Sequence, residues 1–172
     1  MKEKLSFVEA VRTFTKAVGQ TTETFNARQT GLYIGLQLEE MSEKLTTILS
    51  PFELRIDALD KLSEEFKRGD HDYLIEIANR EEMLDADIDL AWVTFGSAFS
   101  QGADVHGAAI AVQEANMNKL VDCPSCPSRE VWDEPCPVCK DLALIAVKDA
   151  NGKVVKPEGW KAPDIKPFVR IE

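Results

Sequence analysis

Two acidic pairs stand out as residues able to do chemistry: Glu40 with Glu43, and Glu82 with Asp85, followed by Asp89. Spacings of three and four put side chains on one face of a helix. Ile75, Ala78, Glu82, Asp85, Asp89 and Trp92 form one such stripe, apolar at both ends and acidic in the middle. Leu36, Glu40 and Glu43, with Thr47 after them, form a similar one. Two helices thus carry carboxylates where a packed seam is expected.

Local cancellation is scarce. Glu39–Glu43, Glu81–Asp85 and Asp85–Asp89 are like-charged i,i+4 pairs, each costing on the order of 0.2–0.5 kcal/mol in an isolated helix. No Lys or Arg lies three or four positions from Asp85, and only Glu40 has a matching lysine, Lys44. Carboxylates crowded in a seam raise one another's pKa and destabilise it unless a cation joins them. Mg²⁺ is a hard cation that takes oxygen ligands from a few carboxylates and from substrate phosphates. A solvated acidic face or a salt-bridged seam would show the same pattern. A di-iron bundle would need Glu-x-x-His pairs, and neither His71 nor His106 follows a glutamate by three.

A second constellation is Cys123-Pro-Ser-Cys126 and Cys136-Pro-Val-Cys139, with nine residues between the inner cysteines. Two C-x₂-C pairs can grip one tetrahedral Zn²⁺, and four thiolates leave no open position, which makes the metal structural. The alternative is two disulfides or a redox pair. A thioredoxin-like redox site would follow a strand and open a helix, a context this segment lacks.

The elements that must position these groups are mostly helices. The periodicity predicts helices over 3–18 (Leu5, Val8, Val11, Phe14, Val18), 27–49, 52–68 (Leu54, Ala58, Leu62, Phe66), 72–99 and 105–120. Ser50-Pro51, Arg68-Gly69-Asp70 and Gln101-Gly102 supply the stops. Beyond them LALIAV and KVV read as two strands around Asn151-Gly152. The expected fold is all-α: a bundle of about five helices over 1–120, a four-cysteine zinc knuckle with a β-hairpin inserted over 121–148, and a Pro-rich tail, 149–172, packed on the bundle.

The chain has 172 residues, 44% hydrophobic, and a net charge of −10. It lacks the basic footprint of a nucleic-acid binder. The N-terminus MKEKLSFVEAVRTF has no apolar signal region, and no apolar run approaches the length of a membrane span. A cytoplasmic setting with reduced thiols is expected.

LQLEEMSEKL, EEMLDADIDLAWVTFGSAFSQG, VQEANMNKL and NGKVVKPEGWKAPDI together resemble the all-α NTP pyrophosphatases: MazG-like proteins, dimeric dUTPases and phosphoribosyl-ATP pyrophosphohydrolases. Their motif is ExxE followed by ExxD, matched here by Glu40-Met-Ser-Glu43 and Glu82-Met-Leu-Asp85. The nearest likeness is to the MazG-like, phosphoribosyl-ATP pyrophosphohydrolase-like proteins of phages and bacteria, over most of the chain beyond about residue 28. The gap between Glu43 and Glu82 is longer than usual for MazG proteins. Leu36-Gln37-Leu38 replaces the lysines of a histidine-biosynthesis enzyme, and the cysteine-bearing stretch is inserted before GKVVK.

The resemblance implies hydrolysis of a (deoxy)nucleoside triphosphate between its α and β phosphates, giving a monophosphate and pyrophosphate. It implies Glu40, Glu43, Glu82 and Asp85 as ligands of two or three Mg²⁺ (or Mn²⁺), Asp89 as a further ligand or base, and Glu43 or Asp89 as proton acceptor. It implies Asn116 and Lys119 as nucleotide and phosphate contacts; otherwise Asn116 caps a helix and Lys119 is a surface charge. Lys156 and Trp160 either cover the nucleotide or pack on the surface. Relatives are dimers or tetramers, so a homodimer or homotetramer is expected. Some phage relatives act on dGTP or GTP, which makes a guanine nucleotide one expected substrate. The competing readings are a dUTPase-type hydrolase and a non-enzymatic, zinc-bearing interaction module.

Overall fold

The first helix, α1 (Phe7–Ala17), begins where its sequence caps it. The Ser6 hydroxyl accepts from the Glu9 backbone N–H, while the Glu9 carboxylate accepts from the Ser6 N–H at 3.0 Å. This box starts the helix at Phe7, so Leu5 precedes it, contrary to the predicted start at residue 3. Gly19, at φ 78°, turns the chain out of the last turn.

The computed structural model describes residues 5–47, 53–69, 71, 79–126, 136–140, 142–149 and 154–169. Ser50-Pro51, Asp70, Ile75, Ala78 and Asn151-Gly152 lie outside them. After α1 come α2 (Ala27–Thr46), α3 (Glu53–Arg68), α4 (Arg80–Ser100), α5 (Val105–Met117), strands β1 (Leu120–Asp122) and β2 (Leu144–Ala146), and a 3₁₀ turn at Lys166–Phe168. The protein is thus mostly helical, with five α-helices and one small antiparallel sheet among the described residues. No described helix is long and apolar enough to cross a membrane.

The chain divides into two compact units, Glu23–Asp85 and Met1–Thr22 with Ala86–Glu172, and the division falls inside α4. The first unit is built on the pairing of α2 with α3. Ser42 donates to Asp60, Ser63 donates to the Gly35 carbonyl at 2.7 Å, and Gly31 faces His71, so the two helices run antiparallel. The contact face of α3 carries Ile56, Asp60, Ser63 and Lys67: Ile56 and Ser63 are buried, while Ala58 and Leu62 of the expected Leu54–Ala58–Leu62–Phe66 stripe are exposed, and the side chain of Leu54 lies outside the described residues. The reason lies on α2. Gly31, Gly35 and Ser42 make a shallow groove of small residues, which lets the Ser63 and Lys67 backbone approach closely at Gly35. Lys67 closes one side through Glu39, 2.8 Å away. Beyond Gly69, the His71 ring stacks on Phe66 and meets the Phe66 carbonyl at 2.6 Å.

In the second unit α1 packs on α5, and β2 touches α1. Asp104 caps α5 by accepting from Gly107 N–H at 3.0 Å. The helix stops at Met117, earlier than predicted, because Leu120–Asp122 turns into β1. The partner of β2 is β1, with Leu120 opposite Ala146 and Asp122 opposite Leu144. Among the described residues, the expected pairing of LALIAV with KVV survives as the bridge Lys148–Val154 and the bond from Val155 N–H to the Val147 carbonyl. The tail then runs along α5. Trp160 donates to the Ala115 carbonyl near the helix's C-terminal end, and the Phe168 carbonyl accepts from Asp104 N–H at its start.

Candidate functional site

The cysteine centre is built by the two-stranded sheet. Cys123 follows β1 directly, and its N–H donates to the Ala143 carbonyl just before β2. Each C-x₂-C pair closes its own turn: Cys126 N–H to the Cys123 carbonyl at 3.1 Å, and Lys140 N–H to the Cys136 carbonyl at 2.8 Å. Lys140 (φ 46°) and Ala143 (φ 56°) take the left-handed backbone that folds the second knuckle back onto β2. Cys123, Cys136 and Cys139 are buried, Cys126 is half-buried, and Ile145 packs against the group.

All four Sγ atoms lie within 4.8 Å of one another. Cys123–Cys136 is 4.0 Å and Cys126–Cys139 is 3.5 Å. A tetrahedron of thiolates around Zn²⁺ at about 2.3 Å has edges near 3.8 Å, and the two measured separations bracket that value. The cysteines are free thiols, which sets aside the disulfide alternative. Backbone N–H groups of Cys139 and Val138 point at Cys136 and hold its thiol down to about 6. The hydrogen bond with Cys139, together with burial, pushes Cys126 up to about 12, and burial raises Cys123. A thiol held down in this way favours the thiolate, the form that ligates a metal. The donor set suits a tetrahedral metal such as zinc.

The carboxylates are arranged differently. Glu40 and Glu43 occupy successive turns of α2, and both are exposed. Glu82, Asp85 and Asp89 lie on α4, also exposed. The expectation of a packed acidic seam is corrected: within one chain these side chains face solvent, and among the described residues only the cysteines bring three or more ligand atoms together. The helix that bears Glu82 starts at Arg80, because the Asn79 side chain accepts from the N–H groups of Glu81 and Glu82. The earlier part of the predicted span, 72–78, lies outside the described residues. Glu81 and Glu82 then sit in the first turn, where the helix dipole favours negative charge.

None of these five carboxylates has a side-chain ion pair or hydrogen bond among the described residues, whereas Glu39, Glu64 and Asp60 are engaged by Lys67, Arg68 and Ser42. The helix that carries three of them also leaves large apolar side chains exposed. α4 has no buried residue, and Leu84 (63%), Ile88 (62%), Trp92 (79%) and Phe99 (65%) are largely exposed.

Asn116 and Lys119 do come together at the end of α5, where Lys119 Nζ donates to Asn116 Oδ1 at 2.8 Å. The helix cap is Asn118, which removes the capping alternative for Asn116. Trp160 joins this corner, with Lys119 Nζ 5.6 Å and Lys156 Nζ 4.3 Å from its ring centroid. The role of the Ala115 carbonyl in fixing Trp160 has no signal in the sequence, since any residue there offers the same acceptor.

Compared with protein-family models, curated proteins and solved structures, the chain finds no match.

Proposed function

We propose that the protein is a Mg²⁺-dependent (deoxy)nucleoside triphosphate pyrophosphohydrolase, of the MazG-like kind that its acidic motifs resemble. The observation that carries the reading is that the carboxylates of the two matched motifs and the turn after them, Glu40 and Glu43 on α2 and Glu82, Asp85 and Asp89 on α4, are all unengaged among the described residues. Glu9, Glu39, Glu64 and Asp60 show how this chain treats a structural carboxylate, giving each a donor. The five carboxylates are open to a partner from outside the chain, and a divalent cation carrying a triphosphate is such a partner.

Glu40, Glu43, Glu82 and Asp85 would hold Mg²⁺ or Mn²⁺, with Asp89 as a further ligand. Bound metal would acidify the attacking water and neutralise the departing pyrophosphate. Glu43 or Asp89 takes the proton of that water. Asn116 and Lys119 contact the nucleotide. Leu84, Ile88, Trp92, Val93 and Phe99 on α4 are largely exposed, and a homodimer or homotetramer that covers them would complete the fold. Zn²⁺ fills the four-cysteine centre as a structural ion. A guanine nucleotide is one candidate substrate and a dUTPase-type preference another.

The test is pyrophosphate release from a panel of NTPs and dNTPs with Mg²⁺, using zinc-loaded protein. Release from one or more members that is lost in Glu40→Gln supports the reading. No release from any member overturns it and leaves the zinc-bearing interaction module, the reading that the cysteine centre alone would favour.

A further inference from the structure

We propose that Cys126 and Cys139 form an oxidation site: a peroxide joins them in a reversible disulfide, which ejects the metal the four cysteines hold. Metal loss presupposes the zinc reading of this centre; the hydrolase reading is not needed. Cys123, Cys136 and Cys139 are buried, whereas Cys126 is half-buried. A small neutral oxidant arriving from solvent therefore meets Cys126 first. Cys139 Sγ lies 3.5 Å from Cys126 Sγ, closer than the 4.0 Å that separates Cys123 from Cys136. An accessible sulfur with a second cysteine beside it to resolve the first oxidation product is the arrangement that makes thiol oxidation reversible. The two residues also belong to different knuckles, each closed by its own turn, Cys126 N–H on the Cys123 carbonyl and Lys140 N–H on the Cys136 carbonyl. A bond between them ties one knuckle to the other.

Metal-ligating sulfurs are thiolates. The Cys126 sulfur attacks one oxygen of hydrogen peroxide: an S–O bond forms, the O–O bond breaks, and the departing hydroxide takes a proton from solvent. The Cys139 sulfur then attacks the sulfur of the Cys126 sulfenic acid. The S–S bond forms, the S–O bond breaks, and the second hydroxide is likewise protonated to water. The sulfurs have given up an electron pair, and the peroxide has taken it in becoming water. Cys123 and Cys136 remain as ligands, too few to fill a tetrahedral site, so Zn²⁺ is released. The effect falls on the small sheet. Cys123 follows β1 directly, and its N–H donates to the Ala143 carbonyl just before β2; loss of the metal frees that end of the strand pair. Because the disulfide keeps the knuckles together, a thiol reductant rebuilds the four-sulfur set in place.

The experiment treats the full chain, its zinc content measured beforehand, with a small molar excess of hydrogen peroxide beside a chromogenic zinc chelator. Remaining thiols are then alkylated and disulfides mapped by peptide mass spectrometry. The expected result is release of most of the bound zinc, a Cys126–Cys139 cross-link with Cys123 and Cys136 alkylated, and renewed zinc binding after dithiothreitol and added zinc. Zinc retained under peroxide overturns the proposal. So does a first disulfide within one knuckle or between Cys123 and Cys136, or oxidation of Cys126 to sulfinic acid without a cross-link. Protein that carries no zinc yet forms the Cys126–Cys139 bond would sink the zinc reading and leave the oxidation site standing; zinc-loaded protein that forms no such bond would do the reverse. The mapping is done on the wild type, so the result does not depend on whether a cysteine variant folds.

Discussion

Ser63 donates its hydroxyl to the backbone carbonyl of Gly35, joining α3 to α2 at 2.7 Å where both residues are buried. That contact exists because Gly35 has no side chain. A Cβ there would sit 2.8 Å from the Ser63 carbonyl oxygen and 3.1 Å from Lys67 N, both backbone atoms that cannot swing aside. Gly35→Ala should therefore push the helices apart and destabilise the unit by about 1–3 kcal/mol, despite alanine's better helix propensity. Urea unfolding followed by circular dichroism measures this; a neutral or stabilising result would mean that the two helices do not pack this closely.

The cysteine centre predicts a definite response to pH and to chelation. Cys136 is held at about 6, below its ordinary 9.0. A depressed value stabilises the folded loop fully above the ordinary value, progressively less as pH falls, and not at all below about 6. Metal must also compete with more protons below that point, since Cys123 and Cys126 are protonated already. Zinc release to a chromogenic chelator should steepen as pH drops through about 6. At neutral pH the purified protein should hold about one zinc, and Cys136→Ser less than half.

Removing that metal should act locally. Strands of three residues cannot sustain a sheet by themselves, and the binding energy of a structural zinc is energy of folding. Chelation should abolish hydrogen-exchange protection at the amides of Leu120–Asp122 and Leu144–Ala146, while the paired helices α2 and α3 keep theirs. Equal loss across α2 and α3 would refute a local role for the metal.

What can be read from the sequence depends on how local each signal is. Asn26 and Asp104 announce the starts of α2 and α5, because a cap acts within three residues. The cysteine spacing carries its own geometry. The contact face of α3 misleads because Ala58 and Leu62 repeat at helical spacing yet are exposed, while the observed face, Ile56–Asp60–Ser63–Lys67, is chosen by the glycine groove of a different helix. β1 is hidden for a similar reason: three residues have no period, and their partner lies beyond the whole cysteine loop. The acidic stripes are legible as stripes. That they are exposed depends on what packs against α2 and α4, and so lies beyond the reach of spacing.

The exposed apolar residues of α4 make their own prediction. Trp92 is 79% exposed and shares α4 with the exposed Leu84, Ile88 and Phe99. If a second copy covers it, light scattering coupled to size exclusion should give a dimer or tetramer. Trp92→Glu should shift the protein towards monomer, because an unpaired carboxylate in an apolar interface is strongly disfavoured. A monomeric wild type at micromolar concentration would remove the oligomer from the proposal.

The last prediction separates ligand from scaffold. Glu40 is exposed and has no hydrogen-bond or ion-pair partner among the described residues, so the fold does not depend on its charge. Glu40→Gln keeps the shape and removes the charge. It should leave the melting temperature and zinc content unchanged and lower Mg²⁺-dependent pyrophosphate release by about 100-fold or more, since even outer partners of a metal site cost 10–100-fold when lost. Glu39→Gln is the informative companion. Glu39 engages Lys67 at 2.8 Å, and its loss should reduce stability slightly and spare turnover. Should Glu40→Gln turn over normally, Glu40 is not a metal ligand; should Glu39→Gln abolish activity while Glu40→Gln does not, the catalytic face of α2 is the neighbouring one.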